Sequence, residues 1–352
     1  MKELGIGLVG CGFWANEMHI PAIQRIPGVR VVGVASRTRE SAETTARSFG
    51  IGFWTTDYHE LFSRPEVDIV DILTPNSLHA PLAIEAAESG KHVICIKPLS
   101  TTIRDADAIL SAAARAGTHV YYAENVPFIP ALMKAKQIVT EGGIGEMIRV
   151  KACEGIGGPH AEWFFDHRQA GGGAIMDMAV HGIAFCRWMA GSDVRSVHAE
   201  AGTFVHSQKT AEEDTAVLTM RFENGMIGQT EDSWSLAGAM DSRFEVFGTK
   251  GRILVDNLHR QPLQVQSQTG YADGGGSRES GRGWTFPLPL SADINDGQLA
   301  MLEHFVRCAQ GTESCRSTGA DGRRILAVVE AAYRSISSGR AERVTESDGG
   351  IS

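Results

Sequence analysis

Short apolar runs recur along the first 125 residues, separated by stretches with helical spacing of apolar positions. Leu4–Val9 (LGIGLV), Val29–Ala35 (VRVVGVA), Val67–Leu73 (VDIVDIL), His92–Ile96 (HVICI) and His119–Ala123 (HVYYA) read as strands, being short and largely apolar or β-branched. Between them lie stretches such as Pro75–Ser89, where Asn76 is placed to cap a helix and Gly90 to stop it. Strand–helix alternation at this spacing predicts right-handed crossovers and a parallel sheet with helices on both faces. Residues 1–125 are therefore expected to form a doubly wound α/β domain.

The pattern changes after residue 126. Met147–Glu154, Val194–Thr203, Thr215–Phe222, Met226–Trp234 and Arg243–Phe247 alternate apolar and polar positions, predicting a mostly antiparallel sheet with one covered face. Phe222-Glu223-Asn224-Gly225-Met226 carries an Asn-Gly hairpin signal. The polar, glycine-rich run Gln268–Gly283 reads as a mobile loop and a candidate lid. Helices are expected at Ile294–Ala309 and Asp321–Ser338. Residues 126–352 thus read as an α+β domain built on a large open sheet. Such a sheet would expose a wide face, which predicts a homo-oligomer, a dimer or tetramer.

Composition narrows the function classes. The 352 residues are 43% apolar and 21% charged, which excludes a disordered chain, a collagen-like fibre and a coiled coil. No apolar run approaches the roughly 20 residues a membrane-spanning helix needs. Met1-Lys2-Glu3 leads straight into a strand pattern, so a cytoplasmic protein without a signal peptide is expected. A net charge of −9 argues against nucleic acid or an anionic membrane as partner. Six cysteines, at 11, 95, 153, 186, 308 and 315, form no C-x-x-C pair. They read as free thiols of a reducing compartment, with no metal site expected.

The chemistry begins at Gly10-Cys11-Gly12-Phe13-Trp14-Ala15, a G-x-G-x-x-A loop between the first strand and a helix. Gly10 permits the tight turn, Gly12 lets the backbone approach a pyrophosphate, and Ala15 allows close helix packing. The helix N-terminus adds amide donors, so a dinucleotide is expected here. The second strand ends in Ser36-Arg37, with no acidic residue to grip an adenosine ribose. Ser36 and Arg37 suit a 2′-phosphate, which tilts the expectation toward NADP and leaves NAD open.

Thr74-Pro75-Asn76 with His79, and Lys97-Pro98, follow strand ends, where ligands of open α/β sheets sit. Lys97 suits hydrogen bonding to a substrate hydroxyl and proton transfer. Gly171-Gly172-Gly173 opens a helix carrying Asp177 and His181, four residues apart on one face. Imidazole can accept a proton near neutral pH. The same spacing also suits a plain surface pair or a satisfied core histidine. Upstream, Glu154, His160, Trp163, Phe164 and Phe165 suit either a sugar-stacking surface or an aromatic core. Glu154, His160, Asp177 and His181 match no standard metal spacing.

Taken in order, these pieces resemble the glucose–fructose oxidoreductase, inositol dehydrogenase and MocA (Gfo/Idh/MocA) family. The resemblance runs through His19-Ile20-Pro21-Ala22, Thr74-Pro75-Asn76, His79, Lys97-Pro98, the Gly171–His181 block and Ala331-Ala332-Tyr333-Arg334-Ser335. It implies a Rossmann domain followed by a substrate domain. It also implies that a hydride moves between NAD(P) and a secondary hydroxyl or ketone of a sugar, polyol or glycoside. Lys97, Asp177 and His181 match the catalytic positions, with His181 as general acid or base. Phe13, Trp14, Thr74, Pro75, Asn76, His79, Lys97, Pro98 and Asn125 match positions bordering the cofactor, as do Trp163 and Arg168 toward its nicotinamide end. Glu124, His160 and Trp163 fall to the substrate, with Lys97, Asp177 and His181. Two positions depart from the pattern: Ile96 stands where the family usually has Glu, and Ala184 where it often has Asp. Two alternatives stay open, the second because of Ile96. One is an enzyme that retains its cofactor and uses transient sugar oxidation for a net non-redox or self-recycling reaction. The other is a non-catalytic nucleotide-binding sensor.

Overall fold

A computed structural model describes residues 3–258, 261–272, 277–287 and 294–345. The chain divides into two compact units. The first holds residues 1–125 together with Arg168–Gly171 and Gln298–Leu326, and the second holds the rest.

The first unit is a six-stranded parallel sheet ordered β3-β2-β1-β4-β5-β6. Its strands are β1 (Leu4–Val9), β2 (Val29–Ala35), β3 (Trp54–Thr55), β4 (Ile69–Ile72), β5 (His92–Ile96) and β6 (Val120–Ala123). Strands β1, β4 and β6 are buried along their whole length, as expected where helices cover both faces. The two aspartates interrupting the third apolar run are accounted for locally. Asp68 Oδ2 accepts from the Gly5 amide at 2.9 Å, and Asp71 Oδ2 lies 2.7 Å from His19 Nδ1. Burying either carboxylate without a partner would cost several kcal/mol.

Two later segments complete this unit. Ser317 bonds the edge strand at Tyr122, accepting from its amide at 3.0 Å and donating to its carbonyl at 2.7 Å. Thr318 forms an antiparallel bridge to Tyr121, so the edge of β6 is covered rather than open. Gln298 Nε2 lies 2.7 Å from His19 Nε2. Arg168–Gly171 joins through Asn76, whose Nδ2 donates to the Ala170 carbonyl at 2.8 Å. That bond corrects the cap expected of Asn76. Its side chain is used across 94 residues of sequence, the segment Asn76–Leu78 is a single 3-10 turn, and the α-helix runs from His79 to Glu88.

The second unit is a nine-stranded mixed sheet ordered β14-β13-β12-β11-β7-β10-β9-β8-β15. Its strands are β7 (Met147–Ile156), β8 (Val194–Gly202), β9 (Thr215–Phe222), β10 (Ile227–Ser233) and β11 (Met240–Gly248). They are joined by β12 (Gly251–Asp256), β13 (Leu263–Ser267), β14 (Gly283–Thr285) and β15 (Glu342–Arg343). Every pairing is antiparallel except β10 with β7. One face is covered by the helix Val180–Ala190. Its Gly182 sits so close to the sheet that an added Cβ would lie 2.7 Å from Thr230 Cγ2.

The hairpin between β9 and β10 forms at the expected residues. Gly225 takes φ +86°, its amide bonds Phe222 O at 3.0 Å, and no non-glycine residue among the described residues has positive φ. It is therefore a type I turn closed by a left-handed glycine rather than a two-residue mirror-image turn. The mobile loop expected over Gln268–Gly283 is corrected at its flanks. Tyr271 is fully buried with its hydroxyl 2.6 Å from Thr285 Oγ1, and Gly270 packs against Arg278 O. Residues 273–276 of that run lie outside the described residues. Among the described residues, no helix is long and apolar enough to cross a membrane.

Candidate functional site

In the first unit the strand order changes direction between β1 and β4, the position at which open α/β sheets bind ligands. The glycine loop leaves β1 there. Gly10 has φ +102° and an added Cβ would meet Leu73 O at 2.4 Å, so glycine is required by both conformation and space. Gly12 is different: an added Cβ meets no protein atom within 4 Å. Packing of this chain does not demand glycine at 12, whereas close approach by a phosphate would.

Side chains fix the loop. Asn16 Nδ2 donates to Cys11 O at 3.0 Å and Gly12 O at 2.8 Å, and its Oδ1 accepts from Thr45 at 2.9 Å. Ser41 also donates to Cys11 O, at 3.2 Å. These three residues were not read from the sequence; Asn16, just beyond the glycine motif, was the available signal. Burial pushes the Cys11 thiol up, keeping it protonated. Phe13 is exposed and Trp14 half-buried beside it, their rings 5.7 Å apart and edge-on. Ser36 and Arg37 follow β2 at the surface. Thr38 then caps the next helix, accepting from Ser41 N.

His79 ties the loops after β4 and β5 together. Its Nδ1 lies 2.7 Å from Pro98 O and its Nε2 2.9 Å from Thr74 O. Two carbonyls favour a doubly protonated ring, but burial, with a smaller push from Lys97, lowers its pKa. The neutral ring donates to one carbonyl and holds both loops by position. Asn76 is likewise committed to the chain, so both shape the loops that Thr74 and Pro75 belong to.

Lys97 follows β5, half-buried, ahead of a cis bond to Pro98. Ile96 before it is buried, so the carboxylate usual at that position has no replacement on this strand. Glu124 follows the neighbouring strand. Ile96 pairs with Ala123 across β5 and β6, which sets Lys97 and the buried Glu124 at the same level of adjacent strands, with buried Asn125 next.

In the second unit, a triple-glycine entry and a widened π turn, Ile175–Ala179, lead into the helix Val180–Ala190. Glu213 sets this entry. Its carbonyl accepts from Ala174 N at 2.8 Å and its carboxylate from Ile175 N at 2.9 Å and Tyr333 Oη at 3.0 Å. An added Cβ at Gly173 would lie 2.0 Å from Glu213 O. Asp177 is buried in the π turn and accepts from Trp234 Nε1 at 2.8 Å. His181, on the α-helix that follows, is half-exposed.

Trp234 also packs in a cluster with Phe164, Ala174 and Met178, against which Trp163 and Phe165 lie partly buried. Trp163 stacks on Phe164 at 3.8 Å, and the exposed His160 meets the Phe164 edge at 5.0 Å. The unit thus brings Asp177, His160 and Trp163 around one aromatic cluster. Glu154 goes elsewhere, accepting from Ser242 Oγ at 3.2 Å beside Asn257. Arg168 is exposed in the segment belonging to the first unit. Trp234 and Glu213 are neighbours of Asp177 and Ile175 that the sequence did not display, standing 57 and 38 residues from them.

Comparison with known proteins identifies the family. Residues 4–124 match the family model "Oxidoreductase family, NAD-binding Rossmann fold", and residues 132–254 match the "GFO/IDH/MocA C-terminal domain". The chain belongs to the GFO/IDH/MocA oxidoreductase family. It is 31% identical to 1,5-anhydro-D-fructose reductase of Ensifer adhaerens, over 96% of this chain and 98% of the relative. It is 26% identical to myo-inositol 2-dehydrogenase of Thermotoga maritima, over 97% and 98%. The solved levoglucosan dehydrogenase complex with NADH and levoglucosan is 29% identical, with a TM-score of 0.85 over 97% of this chain and 99% of that one. As a member of the GFO/IDH/MocA family, this protein is an NAD-dependent dehydrogenase whose first unit is the nucleotide-binding domain.

Proposed function

We propose that this protein interconverts a secondary hydroxyl and ketone on a ring of a sugar, polyol or anhydrosugar, with His181 as general acid–base and Lys97 and Asp177 orienting the substrate. The observation that carries the reading is Asp177: a buried carboxylate fixed by an indole N–H, four residues before a half-exposed imidazole. Inositol, levoglucosan and anhydrofructose, named in the relatives, share a polyhydroxylated ring.

The loop around Gly12 fits a dinucleotide, because a side chain there would fill open space beside the helix N-terminus. Gly10, Gly12, Phe13 and Trp14 would hold its pyrophosphate end. The loops of Thr74–His79 and Lys97–Pro98, with Asn125, would border it further along, and Trp163 and Arg168 would meet the nicotinamide. When bound, NAD(P)+ supplies the acceptor for the hydride leaving the carbinol carbon. The protein's part is the proton. His181 accepts it from the hydroxyl as the C–O bond becomes a carbonyl, and returns it in the reverse direction. Lys97 donates a hydrogen bond to the same oxygen. Glu124, beside Lys97, supplies the carboxylate that Ile96 lacks. Asp177 accepts from an adjacent hydroxyl, and Trp163 offers an apolar face to the sugar ring.

Ser36 and Arg37 are proposed to accommodate a 2′-phosphate, so NADP should serve as well as NAD. The outer face of the second sheet, which exposes Val217, is proposed to join copies of the chain in a dimer or tetramer; a monomer in light scattering would refute that. The reaction is tested by adding NAD+ or NADP+ with a panel of inositols, aldoses and anhydrosugars and following nicotinamide reduction. Turnover confined to one ring class supports the reading. Turnover of acyclic alcohols alone would overturn it.

A further inference from the structure

The hydride-transfer chemistry leaves one group of ligating side chains in the first unit without a role. His304 and Cys308 stand one turn apart on the helix Ile294–Ala309, and Cys315 lies in the segment after it. One nitrogen and two sulfurs from these residues lie within 4.8 Å of one another. Among the described residues this is the one such group of three.

One edge of the group has the length a metal site requires. Cys308 Sγ lies 3.5 Å from His304 Nε2. Zn–N of about 2.0 Å and Zn–S of about 2.3 Å in a tetrahedron give an N–S edge of about 3.5 Å. The Arg316 amide donates to Nε2 at 2.9 Å, so Nε2 carries the lone pair and Nδ1 the proton. Nδ1 in turn lies 3.1 Å from Glu313 Oε1. A carboxylate behind the ring, fixing the tautomer that turns Nε2 toward the ligand side, is the recurring arrangement around metal-bound histidine.

A second observation lies in the same corner. The Tyr121 hydroxyl is buried with no hydrogen-bond partner. Burial, with the nearby Cys308 and Cys315 thiols, raises its pKa. The same corner therefore holds two thiols, an imidazole lone pair and a phenol oxygen without a hydrogen-bond partner.

We propose that His304, Cys308 and Cys315 bind a borderline-soft d10 cation, zinc(II), with Glu313 orienting the imidazole and water in the fourth position. On binding, each thiol releases its proton to solvent and forms one sulfur–metal bond, while the Arg316 amide yields the Nε2 lone pair to the metal. The site would tie the end of one helix to the segment that covers the edge of β6. Its spacing, His-x3-Cys-x6-Cys, spans a helix end and has no C-x-x-C pair, which is why the sequence did not display it.

Reduced, chelator-treated protein titrated with cobalt(II) should develop thiolate-to-cobalt charge-transfer absorption and the visible bands of a tetrahedral site, both displaced by zinc. Cys308→Ser and Cys315→Ser should each abolish the charge-transfer band, whereas Cys153→Ser should retain it. Glu313→Gln should weaken binding about ten- to hundredfold. In the unaltered protein, zinc should shield Cys308 and Cys315 from alkylation, as read by mass spectrometry. Absence of the charge-transfer band, its survival in both serine variants, or undiminished alkylation of the two thiols under zinc would overturn the site.

Discussion

Trp234 Nε1 donates to Asp177 Oδ2 at 2.8 Å, a buried bond from the end of β10 to the turn that opens the helix of His181. Hydrogen bonds to charged groups contribute about 1.5–3 kcal/mol. Trp234→Phe keeps the aromatic packing against Phe164 and removes only this donor. We expect kcat to fall about ten- to hundredfold, with the Kd for dinucleotide unchanged. Steady-state kinetics and nucleotide titration check it; an unchanged kcat would mean that Asp177 is not held for catalysis.

Glu213 is the second support of that helix. It satisfies the Ala174 and Ile175 amides, which a helix entry otherwise leaves unmet. Glu213→Ala should cost about 1–3 kcal/mol of stability and lower kcat. Tyr333→Phe, which removes one donor to the same carboxylate, should cost about 0.5–1.5 kcal/mol. Chemical denaturation of the two variants gives the comparison, and equal losses would contradict it.

Three histidines set an acid limit. Burial holds His79, His92 and His304 below their ordinary value of 6.5. The unfolded chain therefore takes up protons first as pH falls. Their contribution to stability is intact above 6.5 and declines as pH drops through the window below it. Thermal unfolding from about pH 8 to about pH 5.5 should show Tm falling below that point, with a shallower fall in His79→Asn. An identical slope in the variant would contradict the buried, neutral state of His79.

How far the sequence carried the reading depended on distance along the chain. Five strands of the first sheet, the glycine loop and the hairpin at Gly225 rest on neighbours within a few residues, and all were legible. β3, with two residues, was too short to carry a pattern. Asn76 was misread as a cap because its true partner, Ala170, is remote in sequence. Trp234 and Glu213 escaped for the same reason: a strand-end indole and a loop carboxylate look ordinary until the fold sets them against Asp177 and Ile175. Buried Tyr271 was hidden by the polar, glycine-rich residues around it.

Arg37 gives a test of the cofactor. If it neutralises a 2′-phosphate, Arg37→Asp should lower kcat/KM with NADP about ten- to hundredfold relative to NAD, the effect of one charge-assisted hydrogen bond. An unaltered NADP-to-NAD ratio would remove Arg37 from cofactor selection.

The central claim is that His181 moves the proton while Lys97 holds the reacting oxygen. Its most direct test is the rate of nicotinamide reduction by His181→Ala and Lys97→Ala with the substrate found in the ring-alcohol panel. The account predicts a loss of about a hundredfold or more in kcat for His181→Ala, a comparable loss for Lys97→Ala, and unchanged dinucleotide affinity in the histidine variant. Turnover near that of the unaltered protein in either variant would contradict it.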